Sequence, residues 1–304
     1  TDGPTVAKAW AAYMAEAASG EFVAGRKPAA ASTLKSYEEL YRPHLKKQYG
    51  DRSLHALARD VAKIHRSLRE KPATANRLLQ VISNLFVHAA SAGHWDKPNP
   101  TLDPARGRPI RKYTVASRER WLTTAEAARV MEYAATEGDP WRDFWQLLVL
   151  TATRVSNLRE MQWAELDLRD TDSDWRIPKT KNGSSHVVPL TDRAVKILRD
   201  RLARVPKADD KKSPRPKSIW VFPMRTDDSR CITDCDHAWA RVKKHAMLAS
   251  VRIHDLRRTA GSWATQAGAP LTAVGRFIGD KSINATAVYA RADMAASRSA
   301  APSA

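Results

Sequence analysis

His254 and Arg257 stand three residues apart in the segment HDLRR, a spacing that sets an imidazole and a guanidinium on one face of a helix. Downstream, Pro270 suits a first helical position, Leu271, Val274, Phe277 and Ile278 recur at helical spacing, and Gly279 suits a C-terminal cap. Ser282 can then cap a last short helix that carries Tyr289. A cationic, hydrogen-bonding pair and a phenol are thereby delivered by neighbouring helices of one small unit. Residues of these types can hold a phosphate and attack it.

Two further cations precede them. Trp141 to Thr151 (WRDFWQLLVLT) is apolar nearly all round and predicts a central buried helix, with Arg154 immediately after it. A guanidinium at the end of a buried helix is costly unless a carboxylate, for which Glu160 and Glu165 are candidates, or a phosphate satisfies it. The clearest β signal is the pair Trp175–Pro178 and His186–Pro189, flanking Lys179-Thr180-Lys181-Asn182-Gly183. Asn-Gly favours a tight hairpin turn, which would project Lys181 at the tip with Lys179 beside it.

The rest of the chain must position these groups. Residues 4–19 read as an amphipathic helix ended by Gly20; Ser32 is placed to cap a second, closed by Pro43; Asp60 to Glu70 and Thr74 to Ala92 make a third and a fourth. These four predict an all-helical unit over residues 1–106. From Asp96 to Arg120 four prolines (Pro98, Pro100, Pro104 and Pro109) and a run of arginines break the helical pattern, and 107–120 reads as a basic, extended linker, able to follow a phosphate backbone. Residues 121–304 form the second domain: Thr123 or Thr124 caps its first helix, with Glu126 near enough for a capping box, and Asp192 to Leu202 is amphipathic. Ala208 to Ser218 reads as an exposed loop, and the Ala/Ser-rich tail after Tyr289 as disorder. The expected fold class is mainly α with a small β-hairpin or sheet, in two domains that clamp DNA.

At 304 residues the chain can bury two cores, and its formal charge of +18 argues for a polyanionic partner, most simply nucleic acid rather than a membrane surface. Two cysteines, Cys231 and Cys235, make no disulfide framework, and their spacing with His237 is not that of a zinc ribbon; Thr233 or Asp234 is better placed to cap a helix there. No signal peptide and no apolar run of membrane-spanning length is read, so a cytoplasmic protein, nucleoid-associated when on DNA, is expected without metal or other cofactor.

Arg154 in TATRVSNLREMQW, Lys181 in PKTKNGSSHVVPL, the His-x-x-Arg of HDLRR and Tyr289 in IGDKSINATAVYAR, taken in that order, resemble the tyrosine recombinase (phage integrase) family over most of the chain. The resemblance implies a core-binding domain followed by a catalytic domain. Lys35, Arg42, Lys46, Lys47, Arg77 and Arg106 become candidate phosphate contacts, with Arg108, Arg111 and Lys112 along the linker and Lys179 beside the scissile phosphate. It assigns Tyr289 as nucleophile, Arg154 and Arg257 to the non-bridging oxygens, His254 to the phosphate or the phenolic proton, and Lys181 to the leaving 5′-oxygen. The implied activity is site-specific recombination through a 3′-phosphotyrosyl link, by the integrase of a mobile element acting as a tetramer on two paired duplex sites. DNA-bending or directionality proteins are candidate accessories. A type IB topoisomerase-like nicking-closing enzyme and a non-catalytic DNA-binding protein of the same fold are the alternatives.

Asp280 departs from the pattern, standing where the family usually carries His or Trp. A carboxylate about 4 Å from a phosphate charge costs about 4 kcal/mol at an effective dielectric near 20. Asp280 therefore turns away to pair with Arg276 or Lys281, is protonated near the phosphate, or weakens cleavage.

Overall fold

The computed structural model describes residues 3–21, 28–103, 108–116, 120–178, 185–206 and 216–279. The chain divides into two compact units, Thr1–Ser117 and Arg118–Ala304.

In the first unit, α1 (Val6–Ser19) starts at Thr5, whose hydroxyl accepts the Lys8 N–H, and stops at Gly20, with φ +86°. Its apolar face, with Val6, Trp10 and Tyr13, packs into a core shared with α2 (Ala31–Tyr41), α4 (Leu54–Ser67) and α5 (Pro72–Ser91). Two helix boundaries differ from the sequence reading. α2 begins at Ala31 without a side-chain cap, so Ser32 lies inside its first turn, and Pro43 does not end the element. Instead the chain widens into a π-helical turn over Arg42–Lys46 and runs on through α3 (Lys47–Tyr49). A proline lacks the N–H that the preceding turn would use, and a widened turn tolerates this while keeping Leu45 and Tyr49 buried. α4 starts at Leu54 rather than Asp60, because Ser53 caps it and Leu57 and Val61 continue its buried stripe.

The segment after α5 is extended but not free. β1 (Leu102–Asp103) pairs antiparallel with β2 (Arg108–Pro109), and the Ile110 N–H reaches the Thr101 carbonyl at 2.8 Å. Asn76 on α5 then clamps Tyr113, accepting its N–H at 2.9 Å and donating to its carbonyl at 2.8 Å, while the Tyr113 ring stacks on His65 with centroids 4.4 Å apart. The expected linker is thus anchored to the first unit as far as residue 113.

The second unit is built around α7 (Trp141–Thr151), the buried apolar helix expected from its sequence, where Phe144, Trp145, Leu147 and Leu148 are almost wholly enclosed. α6 (Thr124–Thr136) packs on it after a capping box between Thr123 and Glu126. The short α8 (Val155–Arg159) leads to a three-stranded antiparallel sheet of β3 (Leu166–Asp167), β4 (Asp174–Ile177) and β5 (His186–Pro189). Trp175, Ile177 and Val188 face inward and Arg176 outward, the alternation a one-sided sheet requires. α9 (Asp192–Arg204) is held to α7 by buried Arg201, which donates to Asp139, Asp143 and the Val221 carbonyl and lies over the Phe222 ring. Removing one partner of such a buried pair costs about 3–5 kcal/mol. α10 (Cys235–His245), α11 (Ile253–Gln266) and α12 (Leu271–Ile278) complete the described part of the unit.

Candidate functional site

The site begins where α7 ends. Ala152 closes the helix in the left-handed region, with φ +51° and ψ +20°. That conformation turns its carbonyl toward α11, where Arg257 Nη1 donates to it at 2.9 Å. Arg257 is only 3% exposed, so the carbonyl fixes the direction of a guanidinium deep in the unit. Beside the bend, the Thr151 and Thr153 hydroxyls lie 3.0 Å apart, and Thr151 also donates to the Leu147 carbonyl at 2.8 Å. Arg154 follows as the extended residue that opens α8. The carboxylates considered for it are engaged elsewhere: Glu160 pairs with Arg159, while Glu165 accepts from Trp175 Nε1 and the Gln162 N–H.

The first turn of α11 is fixed from two directions. Buried Asp255 accepts the Arg252 N–H at 2.9 Å. Thr259 Oγ1 donates to the Asp255 carbonyl at 2.7 Å and accepts the Leu122 N–H at 2.9 Å, tying α11 to the chain entering α6. His254 and Arg257 are therefore presented from a helix that cannot rotate without breaking these bonds. His254 keeps solvent access on one side, yet partial burial holds its pKa below the ordinary imidazole value. The positive charges of Arg257, Arg258 and Arg154 add to that effect, and Asp255 opposes it. The imidazole is thus biased to its neutral form, which can accept a proton, among groups that attract an anion.

The structure brings Arg154, His254 and Arg257 together from two separate elements, the start of α8 and the first turns of α11. Lys179 and Lys181 lie outside the described residues, on the segment that joins β4 to β5. Asp280 and Tyr289 also lie outside them, on the chain that leaves α12. Pro270 is the N-cap of α12 rather than its first helical residue, and Gly279 is its left-handed C-cap as expected. Three contributors carry no motif of their own. Ala152 adopts a backbone that glycine usually signals, Thr259 acts across 137 residues of chain, and His186 on β5 reaches the end of α12.

In the first unit, Lys35 on α2 and Arg77 on α5 are both exposed, and Arg77 Nη2 donates to Ser36 Oγ at 2.8 Å. Arg111 and Lys112 are exposed beside the Asn76–Tyr113 clamp, and Arg108 lies on β2. Arg42 is committed to Glu38 at 3.0 Å, and Arg106 lies outside the described residues. Among the described residues no group of three or more His, Cys, Asp or Glu side chains could hold a metal ion. Burial pushes the Cys235 thiol up to about 11. Asp234 takes the N-cap position of α10, but its carboxylate meets His237 Nδ1 at 2.6 Å instead of a backbone N–H. No helix among the described residues is long and apolar enough to cross a membrane.

Residues 120–296 match the phage integrase family, so the chain belongs to that family. It is 28% identical over 179 residues to the integrase of Salmonella phage P22, an alignment covering 57% of this chain and 44% of that protein. A shufflon-specific DNA recombinase of Escherichia coli is 32% identical over 132 residues, 42% of this chain and 32% of the relative. The chain thus spans less than half the length of either relative. Its fold is shared with a lambda integrase tetramer bound to a Holliday junction, at a TM-score of 0.70 and 17% identity, covering 95% of this chain and 78% of that one. The Tn1549 transposon integrase in complex with circular intermediate DNA matches at 0.65 and 16% identity, over 95% and 99% of the two chains.

Proposed function

We propose that the chain is the DNA-binding and strand-transfer part of a site-specific recombinase encoded by a mobile element. The observation that carries this reading is the convergence of Arg154, His254 and Arg257, with the buried guanidinium of Arg257 aimed by the Ala152 carbonyl. Two guanidinium groups offer paired N–H donors to the non-bridging oxygens of a phosphodiester and offset the charge that builds as phosphorus becomes five-coordinate. Lysine in either place would act only as a point charge.

In this reading the Tyr289 phenolic oxygen attacks phosphorus and its proton passes to neutral His254 or to solvent. The bond from phosphorus to the 5′-oxygen breaks, and Lys181 protonates that oxygen as it leaves. One phosphoester is exchanged for another, so the 3′-phosphotyrosyl link keeps the bond energy. A 5′-hydroxyl from a second strand then reverses the reaction and completes transfer. Two of the other tyrosines are poor nucleophiles: burial and hydrogen-bonded Asp60 push the Tyr49 phenol up to about 12, and burial and Glu137 raise Tyr133.

The substrate is double-stranded DNA carrying an attachment-type site, gripped along its phosphates by the exposed cations of the first unit, with further protomers joining to pair two sites. The P22 and E. coli relatives support the activity by name, and the DNA-bound integrase structures support the partner. The test is denaturing capture of protein–DNA adducts from genomic DNA of the source organism, comparing the natural sequence with Tyr289→Phe. Adducts at discrete loci that vanish in Tyr289→Phe support the reading. Tight duplex binding without adducts from either protein replaces it with a non-cleaving DNA-binding protein, and adducts without pairing of two sites replace it with a topoisomerase-like enzyme.

A further inference from the structure

The two segments that carry Lys181 and Tyr289 leave the described fold at neighbouring points, and one side chain joins those points. His186 pairs across the sheet with Ile177, the last register pair before the segment that holds Lys179 and Lys181. Strand alternation places it on the same inward face as Val188 and Trp175, two residues and one strand away. From there His186 Nε2 lies 3.2 Å from the Phe277 carbonyl in the last turn of α12. A carbonyl only accepts, so Nε2 carries the hydrogen and donates.

The end of α12 is shaped for that ring. The last carbonyls of a helix have no partner within it, and the Phe277 carbonyl is one of these. Gly279 caps the helix with φ +70°, and a Cβ placed there would come within 2.8 Å of the His186 ring. Glycine is therefore required twice at 279, for its backbone and for the imidazole lying over it. The next residue is Asp280, the start of the chain that carries Tyr289.

We infer that His186 is a positioning residue for strand cleavage, clamping the base of the lysine-bearing hairpin to the C-terminal cap of α12 so that the leaving-group lysine and the tyrosine segment are held in one register. The inference rests on the recombinase reading and adds to it a residue that never touches the phosphate. A hairpin of two four-residue strands has little sheet to hold it, and its third strand contributes only two residues. Without the clamp the hairpin loses its connection to the helix end, and proton delivery to the leaving oxygen fails while phosphate binding survives.

The experiment is single-turnover cleavage of a duplex carrying a locus recovered by adduct capture, made with either the natural 5′-oxygen or a 5′-bridging sulfur at the scissile phosphate. A thiolate leaves without protonation, so the sulfur duplex bypasses the lysine. His186→Leu, which fills the space without a donor, is expected to cut the oxygen duplex at least ~10-fold more slowly with unchanged duplex affinity, and the sulfur duplex at the wild-type rate. His186→Gln, which returns an N–H donor near the same point, is expected to recover most of the oxygen-duplex rate. Equal rates for wild type and His186→Leu on the oxygen duplex overturn the inference, as does an equal defect on both duplexes. If His186→Leu melts below the assay temperature, His186→Asn takes its place as the variant whose donor falls short of Phe277, with the same two outcomes. A wild-type chain that captures no DNA overturns the recombinase reading itself and removes the inference with it.

Discussion

Arg257 and Arg77 carry the same charge in opposite settings. Arg257 is buried, and a backbone carbonyl from another helix fixes its direction. Arg77 is exposed on α5 and touches one serine hydroxyl. A buried cation is tolerated only where geometry is over-determined, and that is the condition for stabilising charge at one point in space. An exposed cation is screened and mobile, so it attracts a polyanion without specifying which atom it meets. On the proposed reading the two units divide the labour: one contributes affinity in small additive steps, the other chemistry in large non-additive ones.

The sharpest way to break this contrast is to remove the two arginines in turn. Arg257→Ala should lower single-turnover cleavage by about 10²–10³-fold, and Arg257→Lys should recover little of it because a point charge cannot replace the fork. If Arg257→Lys cleaves at the wild-type rate, the aimed guanidinium is not what matters. His254 gives the next largest effect. Partial burial and three neighbouring arginines lower its pKa, so the acid limb of the cleavage profile should lie below 6.5, its unperturbed value, and disappear in His254→Gln. The same sign governs stability. With the folded pKa depressed, the unfolded chain binds more protons in that window, so the His254 contribution is complete above about 6.5 and is lost as pH falls from there through the lower folded pKa.

Within the first unit, Asn76→Ala removes both hydrogen bonds to Tyr113 and should destabilise that unit by about 1–3 kcal/mol. Faster amide exchange over residues 110–113 would report it. Arg77→Ala should weaken duplex binding only a few-fold and reduce the salt slope of the binding constant by about 0.9. A loss comparable with that of Arg257→Ala would erase the distinction between the units. Smallest of all, Ala152→Gly should gain less than about 1 kcal/mol in urea denaturation, since relief of a left-handed alanine is offset by the freedom glycine adds to the unfolded chain.

What was legible in the sequence follows the range over which its causes act. α7 could be bounded correctly because its buried face and its ending are local, and the His-x-x-Arg face of α11 likewise needs only helical spacing. The hairpin strands β4 and β5 stood out by composition, whereas β3 is two residues long and shows no alternation. Pro43 misled because tertiary burial of Leu45 and Tyr49 overrode a local stop signal. The start of α4 was legible after all, in Ser53 followed by Leu54, Leu57 and Val61, but the polar residues between them masked the stripe. The supports of the candidate site were not legible. The Ala152 carbonyl, the Thr259 hydroxyl and the His186 ring act across long stretches of chain through backbone atoms or neutral side chains, which leave no motif.

The central claim is that a phosphate held by Arg154, His254 and Arg257 is attacked by Tyr289. It is tested most directly by digesting the captured adduct with protease and nuclease and identifying by mass spectrometry the side chain that carries the nucleotide. The account predicts a 3′-nucleotide on Tyr289 in the wild type, with the yield collapsing in Arg257→Ala. A nucleotide on any other residue, or an undiminished yield in Arg257→Ala, would contradict it.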